Sequence, residues 1–225
     1  MILRRPMLAA AGALLALTLA NTPARADSDD QATVDHATGT LMDLRRDKEF
    51  GAAKDMLHRA RAVLIAPRIF KAGFFFGGEG GSAVLLARTA GGWSDPAFYT
   101  IASASFGLQI GAQESEMIIL VMSDKALHAL MSNKFKIGAN AGIAVVTLGA
   151  TAEGATTSNV GADLVVWASS SGAYAGISLD GSVVEPSGDA NANYYGRAVT
   201  PGDIVLRRAV RSRAAAGLVR TLESL

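Results

Sequence analysis

From Phe98 to Gly111 the chain alternates residue by residue, and this constrains the fold more than any other stretch. Phe98, Ala102, Ala104, Phe106, Leu108 and Ile110 share one parity, while Ser103, Ser105, Gly107, Gln109 and Gly111 share the other. Tyr99 and Ile101 are apolar exceptions on the second set. A period of two over this length predicts a β-strand with one greasy face and one small, polar face. Gly107 and Gly111 are places where such a strand can bend or admit another backbone.

Around this strand the chain has the material for one compact core: it has 225 residues, and half are hydrophobic. Only 6% are aromatic, against 24 glycines, which suits a tightly packed, twisted sheet. Cysteine is absent, which excludes disulfides, thiolate metal sites, a cysteine nucleophile and a lipidated N-terminal cysteine.

Residues 1–26 read as a cleaved signal peptide. Arg4 and Arg5 supply the positive start, Met7 to Ala20 the apolar run, and Ala24-Arg25-Ala26 the cleavage site. The apolar run is short for a membrane span. Arg4-Arg5 fits a twin-arginine signal poorly because of Pro6 and its neighbours. Removal would leave residues 27–225 with 18 basic and 20 acidic side chains. The expected product is a soluble exported protein, periplasmic in a Gram-negative cell.

Val34, Ala37, Leu41 and Leu44 recur at spacings of three and four, predicting a helix over 27–47, and a second helix follows over 50–61. Residues 62–66 read as a buried strand stopped by Pro67. Phe74 to Phe76 and Ser82 to Arg88 read as two strands joined by a glycine turn, Gly77 to Gly81. Met117 to Met122 reads as a strand covered on both faces, and Ser123 as the cap of a helix over 124–131. Residues 134–148 alternate again. Residues 163–169, 174–179 and 182–185 read as closing antiparallel strands, and 191–196 as a short irregular or helical piece. Thr200-Pro201-Gly202-Asp203 predicts the start of a C-terminal helix with Leu206, Val210, Leu218 and Leu222 as its apolar stripe. The fold class is therefore α+β: a single curved antiparallel sheet or partly closed β-barrel, flanked by N-terminal and C-terminal helices.

The residues supply no catalytic constellation. Gly78-Glu79-Gly80-Gly81-Ser82-Ala83 matches a dinucleotide fingerprint, but a strand follows it where a helix is required, and no acid lies about 20 residues on. His36, His58 and His128 share no metal spacing and read as surface residues. Ser103 and Ser105 read as packing residues, and Glu114 and Glu116 as a solvated strand end. No cofactor is expected. The cations are unevenly placed, with none between Ile137 and Gly196. Arg68 and Lys71 flank a strand end, and Lys134 and Lys136 project from one strand face about 7 Å apart. The final segment carries Arg197, Arg207, Arg208, Arg211, Arg213 and Arg220 against Asp203 and Glu223. That basic helix reads first as packed on the core with a solvated charged face, and otherwise as one lying on an anionic bilayer. Export and near-neutral charge disfavour nucleic acid.

Four segments, in order, resemble the SYLF domain family in its bacterial exported branch. They are VLIAPRIFKAGFFFGGEGGSAVLL, GGWSDPAFYTIASASFGLQIGAQ, MSDKALHALMSNKFKIGANAG and YAGISLDGSVVEPSGDANANYYG, which together span the core 62–196. The resemblance implies a single SYLF-like domain over 27–225, without enzyme activity, that binds phospholipids. Eukaryotic members bind phosphoinositides and some bind actin; what carries over is affinity for anionic lipid headgroups or a membrane surface of the envelope. The expected lipid contacts are Arg68, Lys71, Lys134 and Lys136 for phosphate, with Phe74, Phe75, Phe76 and Trp93 for apolar contact. The competing expectation is an envelope scaffold that holds a protein partner through a sheet face or the basic C-terminal helix.

Overall fold

The computed structural model describes residues 26–48, 50–73, 76–106, 111–132, 134–137, 145–147, 161–171 and 181–225. The expected signal peptide, Phe74, Phe75 and the strand over 174–179 lie outside these residues.

Two helices come first, α1 (Ala26–Arg46) and α2 (Phe50–Arg59). The α1 stripe Val34, Ala37, Leu41 and Leu44 is fully buried, as its spacing requires. The strands are β1 (Ala62–Gly73), β2 (Phe76–Thr89), β3 (Gly92–Trp93), β4 (Ala97–Phe106), β5 (Gly111–Val121), β6 (Phe135–Lys136), β7 (Val145–Thr147), β8 (Leu164–Ser171) and β9 (Val183–Pro186). Among the described residues they form one sheet in the order β6-β9-β4-β2-β1-β5-β8-β7, with β3 paired to β2. The sheet curls into a half-barrel, and every pairing is antiparallel except β7 with β8. Helix α3 (Asp124–Met131) follows β5, helix α4 (Gly188–Tyr195) follows β9, and a π-helical turn (Gly202–Leu206) and α5 (Ala216–Glu223) close the chain. Ser123 caps α3 as expected, its hydroxyl accepting from the Ala126 N–H at 3.1 Å. Among the described residues no helix is long and apolar enough to cross a membrane.

Both faces of the sheet are covered over its middle. On the α1 face, Val63, Ile65, Val84, Leu86, Phe98, Ile118, Leu120 and Trp167 pack with α1, α2 and α5. On the α3 face, Leu64, Leu85, Tyr99, Ile101, Met117, Ile119 and Val166 pack with α3 and the π turn. Tyr99 and Ile101, exceptions in the sequence pattern, are thus core residues of the α3 face, while Thr100 and Ala102 of the supposedly greasy parity are exposed.

Four expectations are corrected. First, Pro67 does not stop β1. Cα pairing advances from Ile65↔Val84 to Phe70↔Gly80, and from Ala66↔Met117 to Ile69↔Ser115, so β1 carries one extra residue against both neighbours. A bulge is where a central strand tolerates a residue without an N–H. Second, Gly77 to Gly81 is no turn but part of β2. A Cβ on Gly81 would lie inside 3.0 Å of the Arg68 carbonyl oxygen, closer than real side chains come. The glycine lets the β1 bulge press against β2.

Third, the alternating stretch beyond Phe98 is not one strand. It holds β4 and the start of β5, which lie on either side of the β1–β2 pair. Likewise 134–148 contains β6 and β7, at opposite edges of the sheet. Fourth, the C-terminal helix is broken. Thr200 and Asp203 do form the reciprocal cap, Thr200 N–H donating to the carboxylate at 2.9 Å and Asp203 N–H donating to the Thr200 hydroxyl at 3.2 Å. The π turn then ends at Leu206, and Arg208 takes a left-handed φ of 50°. Its guanidinium donates to the Thr89 hydroxyl at 3.1 Å and the Gly91 carbonyl at 3.0 Å, which holds that conformation. Of the expected stripe, Leu218 and Leu222 are buried, Val210 packs on the edge of the core, and Leu206 is exposed.

Candidate functional site

Beyond the Pro67 bulge the sheet changes character. Phe70 is 53% exposed, the largest such value among the described large apolar side chains. The bulge puts it on the α1 face at a level the described helices leave uncovered. Arg68 lies over its ring, 5.1 Å from the centroid. The Arg68 guanidinium also makes a two-point pair with Glu114 on β5, at 2.6 and 3.2 Å. This hydrogen-bonded pair holds the Glu114 carboxyl below the usual carboxylate range. Thr100, Ala102, Gly78 and Ser82 are exposed nearby, so among the described residues this end of the α1 face presents small residues, the Phe70 ring and the Arg68–Glu114 ion pair.

Lys71 points the other way. On the α3 face it pairs with buried Glu79 at 3.9 Å, directly across β1 and β2. Burial pushes the Glu79 carboxyl up, and the Lys71 charge partly offsets this. On the α1 face, Glu116 is also pushed up by burial, against a hydrogen bond with Thr40 of α1; the nearby Asp43 charge pushes it further up.

Lys134 and Lys136 lie at β6, exposed, with Lys134 paired to Glu185 at 3.8 Å. Three strands separate β6 from β1, about 19 Å along the sheet. The four expected phosphate ligands therefore do not converge: Arg68 and Lys71 occupy opposite faces, and the two lysines form a separate pair at an edge. Trp93 is buried against the α1-face core with the Arg88 guanidinium 4.3 Å from its ring centroid, so it presents no surface for contact. Phe74 and Phe75 fall outside the described residues, and Phe76 is the first residue of β2. His36, His58 and His128 are all exposed. Sequence reasoning missed Phe70, because a one-residue bulge reverses the parity of everything after it. The signal was Pro67 itself, inside a run otherwise readable as one continuous strand.

At the C-terminus the apolar side of α5 is spent on the core through Leu218 and Leu222, leaving Arg220 outward. Arg207 is tied to Asp203, whereas Arg211 and Arg213 are exposed on the irregular stretch before α5.

A family model described as "Ysc84: Las17-binding protein actin regulator" matches residues 102–225, from β4 to the end of the chain. The protein named Protein YSC84 of Saccharomyces cerevisiae is 32% identical over 173 residues, covering 75% of this chain and 37% of its own length. The SH3 domain-containing YSC84-like protein 1 of Bos taurus is 32% identical, and that of Homo sapiens 31%, each over 158 residues, or 69% of this chain and 46% of theirs. The chain thus spans less than half the length of these relatives.

Proposed function

The chain belongs to the Ysc84 family, and on that premise we propose that it is a non-enzymatic binding module of the cell envelope that docks on anionic phospholipid through the bare end of its α1 face. The observation that carries this reading is Phe70, exposed beside Arg68 on a patch that no described helix covers. An aromatic ring enters the interfacial zone of a bilayer, and a guanidinium beside it meets a headgroup phosphate. Arg68 is half exposed and its pair with Glu114 is solvent-screened, so a phosphate can replace Glu114 at little cost. Each cation near an anionic surface adds on the order of 1 kcal/mol. Phe74 to Phe76 lie next along the chain. Lys134 and Lys136 serve as a second, weaker contact.

Arg4, Arg5, the apolar run from Met7 and the Ala24-Arg25-Ala26 site support export and removal of residues 1–26. N-terminal sequencing of the protein from its own envelope fraction checks this, with Asp27 as the expected first residue.

Co-sedimentation with phosphatidylglycerol–phosphatidylcholine vesicles tests the docking surface. The double variant Arg68→Ala/Phe70→Ser is expected to lose about thirtyfold in vesicle affinity, two lost contacts at roughly 1 kcal/mol apiece. Equal pelleting of variant and wild type discards the surface.

A second reading has its own support. The family description names binding of Las17 and regulation of actin, and Arg211, Arg213 and Arg220 face solvent where an acidic protein partner can reach them. Replacing these three with alanine, rather than removing α5 and its buried leucines, separates the readings. Lost partner capture with intact vesicle binding favours the scaffold.

A further inference from the structure

The docking face has a titratable neighbour on α1. Glu114 and Glu116 share a parity on β5 with Ile118 and Leu120, which puts all four on the α1 face. On α1, His36, Thr40 and Asp43 follow at steps of four and three, so they line one edge of the helix. That edge meets β5: buried Thr40 hydrogen-bonds the Glu116 side chain, and the Asp43 charge reaches the same carboxyl. His36 lies one helical turn before Thr40, and Glu114 lies two strand residues before Glu116. The two steps are nearly equal, about 6 Å along a helix and about 7 Å along a strand. The match sets His36 beside Glu114. The Arg68 hydrogen bond does most to hold the Glu114 carboxyl down, and the His36 charge adds to it. Arg68, Glu114 and exposed His36 thus form one cluster across β1, β5 and α1.

The protonation of His36 changes what this cluster offers to an anion. With the imidazole neutral, Glu114 cancels Arg68 and the cluster carries no net charge. An imidazolium competes with Arg68 for the same carboxylate and leaves one positive charge in excess. The surroundings do not reverse this. Asp35, next to His36, accepts from Gln31 at 2.8 Å, and Asp43 pairs with Arg46 at 3.1 Å. Among the described residues the charges acting on Glu114 and Glu116 are those of Arg68, His36 and Asp43. At this level β8 sets Ser171 and Ser169 opposite Glu114 and Glu116, and β2 sets Gly80 opposite Phe70. Lys71 and Glu79 pair on the other face. Glu116, pushed up by burial, also loses charge as the pH falls, which acts in the same direction.

We propose that His36 belongs to the docking face and governs it by pH: the protonated imidazole draws Glu114 from Arg68, so attachment to an anionic bilayer strengthens in an acidic medium. The inference rests on the docking surface proposed above and adds its regulation.

The test is co-sedimentation with phosphatidylglycerol–phosphatidylcholine vesicles at about pH 6 and about pH 8, within the range where imidazole side chains change charge. The lipid phosphate keeps its charge throughout. Wild type is expected to bind about fivefold more tightly at the lower pH, the effect of one further cation at an anionic surface. His36→Gln, a change at an exposed position, is expected to bind at both pH values as wild type does at the higher one. His36→Lys, charged throughout, is expected to bind at both as wild type does at the lower. A second readout needs no membrane: the carbon-13 resonance of the Glu114 carboxyl is expected to follow the protonation of His36, and to stop doing so in His36→Gln. Equal wild-type binding at both pH values overturns the proposal. So does a pH dependence that survives in His36→Gln, which assigns it to Glu116. In either case weaker binding by Arg68→Ala/Phe70→Ser still upholds the docking surface. If that double variant pellets like wild type at about pH 8, the docking surface itself is discarded and this inference falls with it.

Discussion

The two halves of β1 share both neighbours and one backbone path, yet they do different things. From Ala62 to Ala66 every side chain is buried, alternating between the two cores. From Arg68 to Lys71 only Ile69 is buried: Arg68 and Phe70 face solvent, and Lys71 is half-buried against Glu79. The bulge at Pro67 divides them. The first half takes its stability from helices pressed on one face and from α3 and the π turn on the other. Among the described residues no helix covers the second half on the α1 face, which leaves Arg68 and Phe70 available for recognition. Stability and contact are thus divided along a single strand.

The sharpest way to break this division is to remove the fit that permits the bulge. Gly81→Ala puts a methyl group against the Arg68 carbonyl, and because the atoms it meets in Arg68 and Ile69 are all backbone, relief is limited. A loss of about 3 kcal/mol is expected in urea unfolding; a loss under about 1 kcal/mol means the bulge relaxes easily and the two halves are not rigidly separated. At the covered end, Asn191 is fully buried, accepts from the Phe98 N–H at 2.8 Å and donates to the Phe98 and Ser187 carbonyls at 3.1 and 2.8 Å. Asn191→Ala strands the Phe98 N–H, while the Phe98 and Ser187 carbonyls keep the Ser187 and Asn191 backbone donors, and it is expected to cost about 2 kcal/mol by the same measurement.

At the boundary between the halves, Glu116→Gln keeps the shape and the bond to Thr40. Glu116 titrates above its unfolded value of 4.5 in the folded chain, so the folded state holds its proton more tightly. The stability Glu116 contributes is therefore fully present below that value and is lost as pH rises from about 4.5 through the raised folded value. The variant lacks this component, and urea midpoints of the two proteins at about pH 4 and about pH 7 expose it: the difference between them should grow in favour of the variant. Smallest of all, Arg68→Ala/Phe70→Ser is expected to shift stability by less than about 0.5 kcal/mol. A larger loss would mean that the bare end carries structural weight after all.

Much of the scaffold was readable in the sequence because it obeys simple periods. The stripe of α1, the Ser123 cap, the doubly covered Met117–Val121 run and the Thr200–Asp203 cap all stand where spacing put them. The failures share a cause. Glycine signals turns when only local conformation is considered, but Gly81 answers a demand from Pro67 and Arg68 on the neighbouring strand. Alternation does not reveal where a strand ends if the next strand keeps the same parity, which hid the junction between β4 and β5. The left-handed Arg208 is held by Thr89 and Gly91, more than a hundred residues earlier, so nothing local announces the broken helix. The site was less legible than the fold. Arg68 and Lys71 were named, but only the three-dimensional course of β1 shows that they serve opposite faces and that Phe70 joins the first.

The grip of Asn191 on Phe98 has a further consequence. Beyond Tyr99, which pairs with Pro186, β9 has ended; the Phe98 C=O still accepts from the Ser187 N–H at 2.9 Å, but the Phe98 N–H would stand open to a stray polypeptide. The Asn191 carboxamide oxygen supplies the acceptor that a further residue of strand would, and its amide adds a second donor to the Phe98 carbonyl. A single side chain on α4 thus completes the last rung of β4 and denies that position to fibrous self-association.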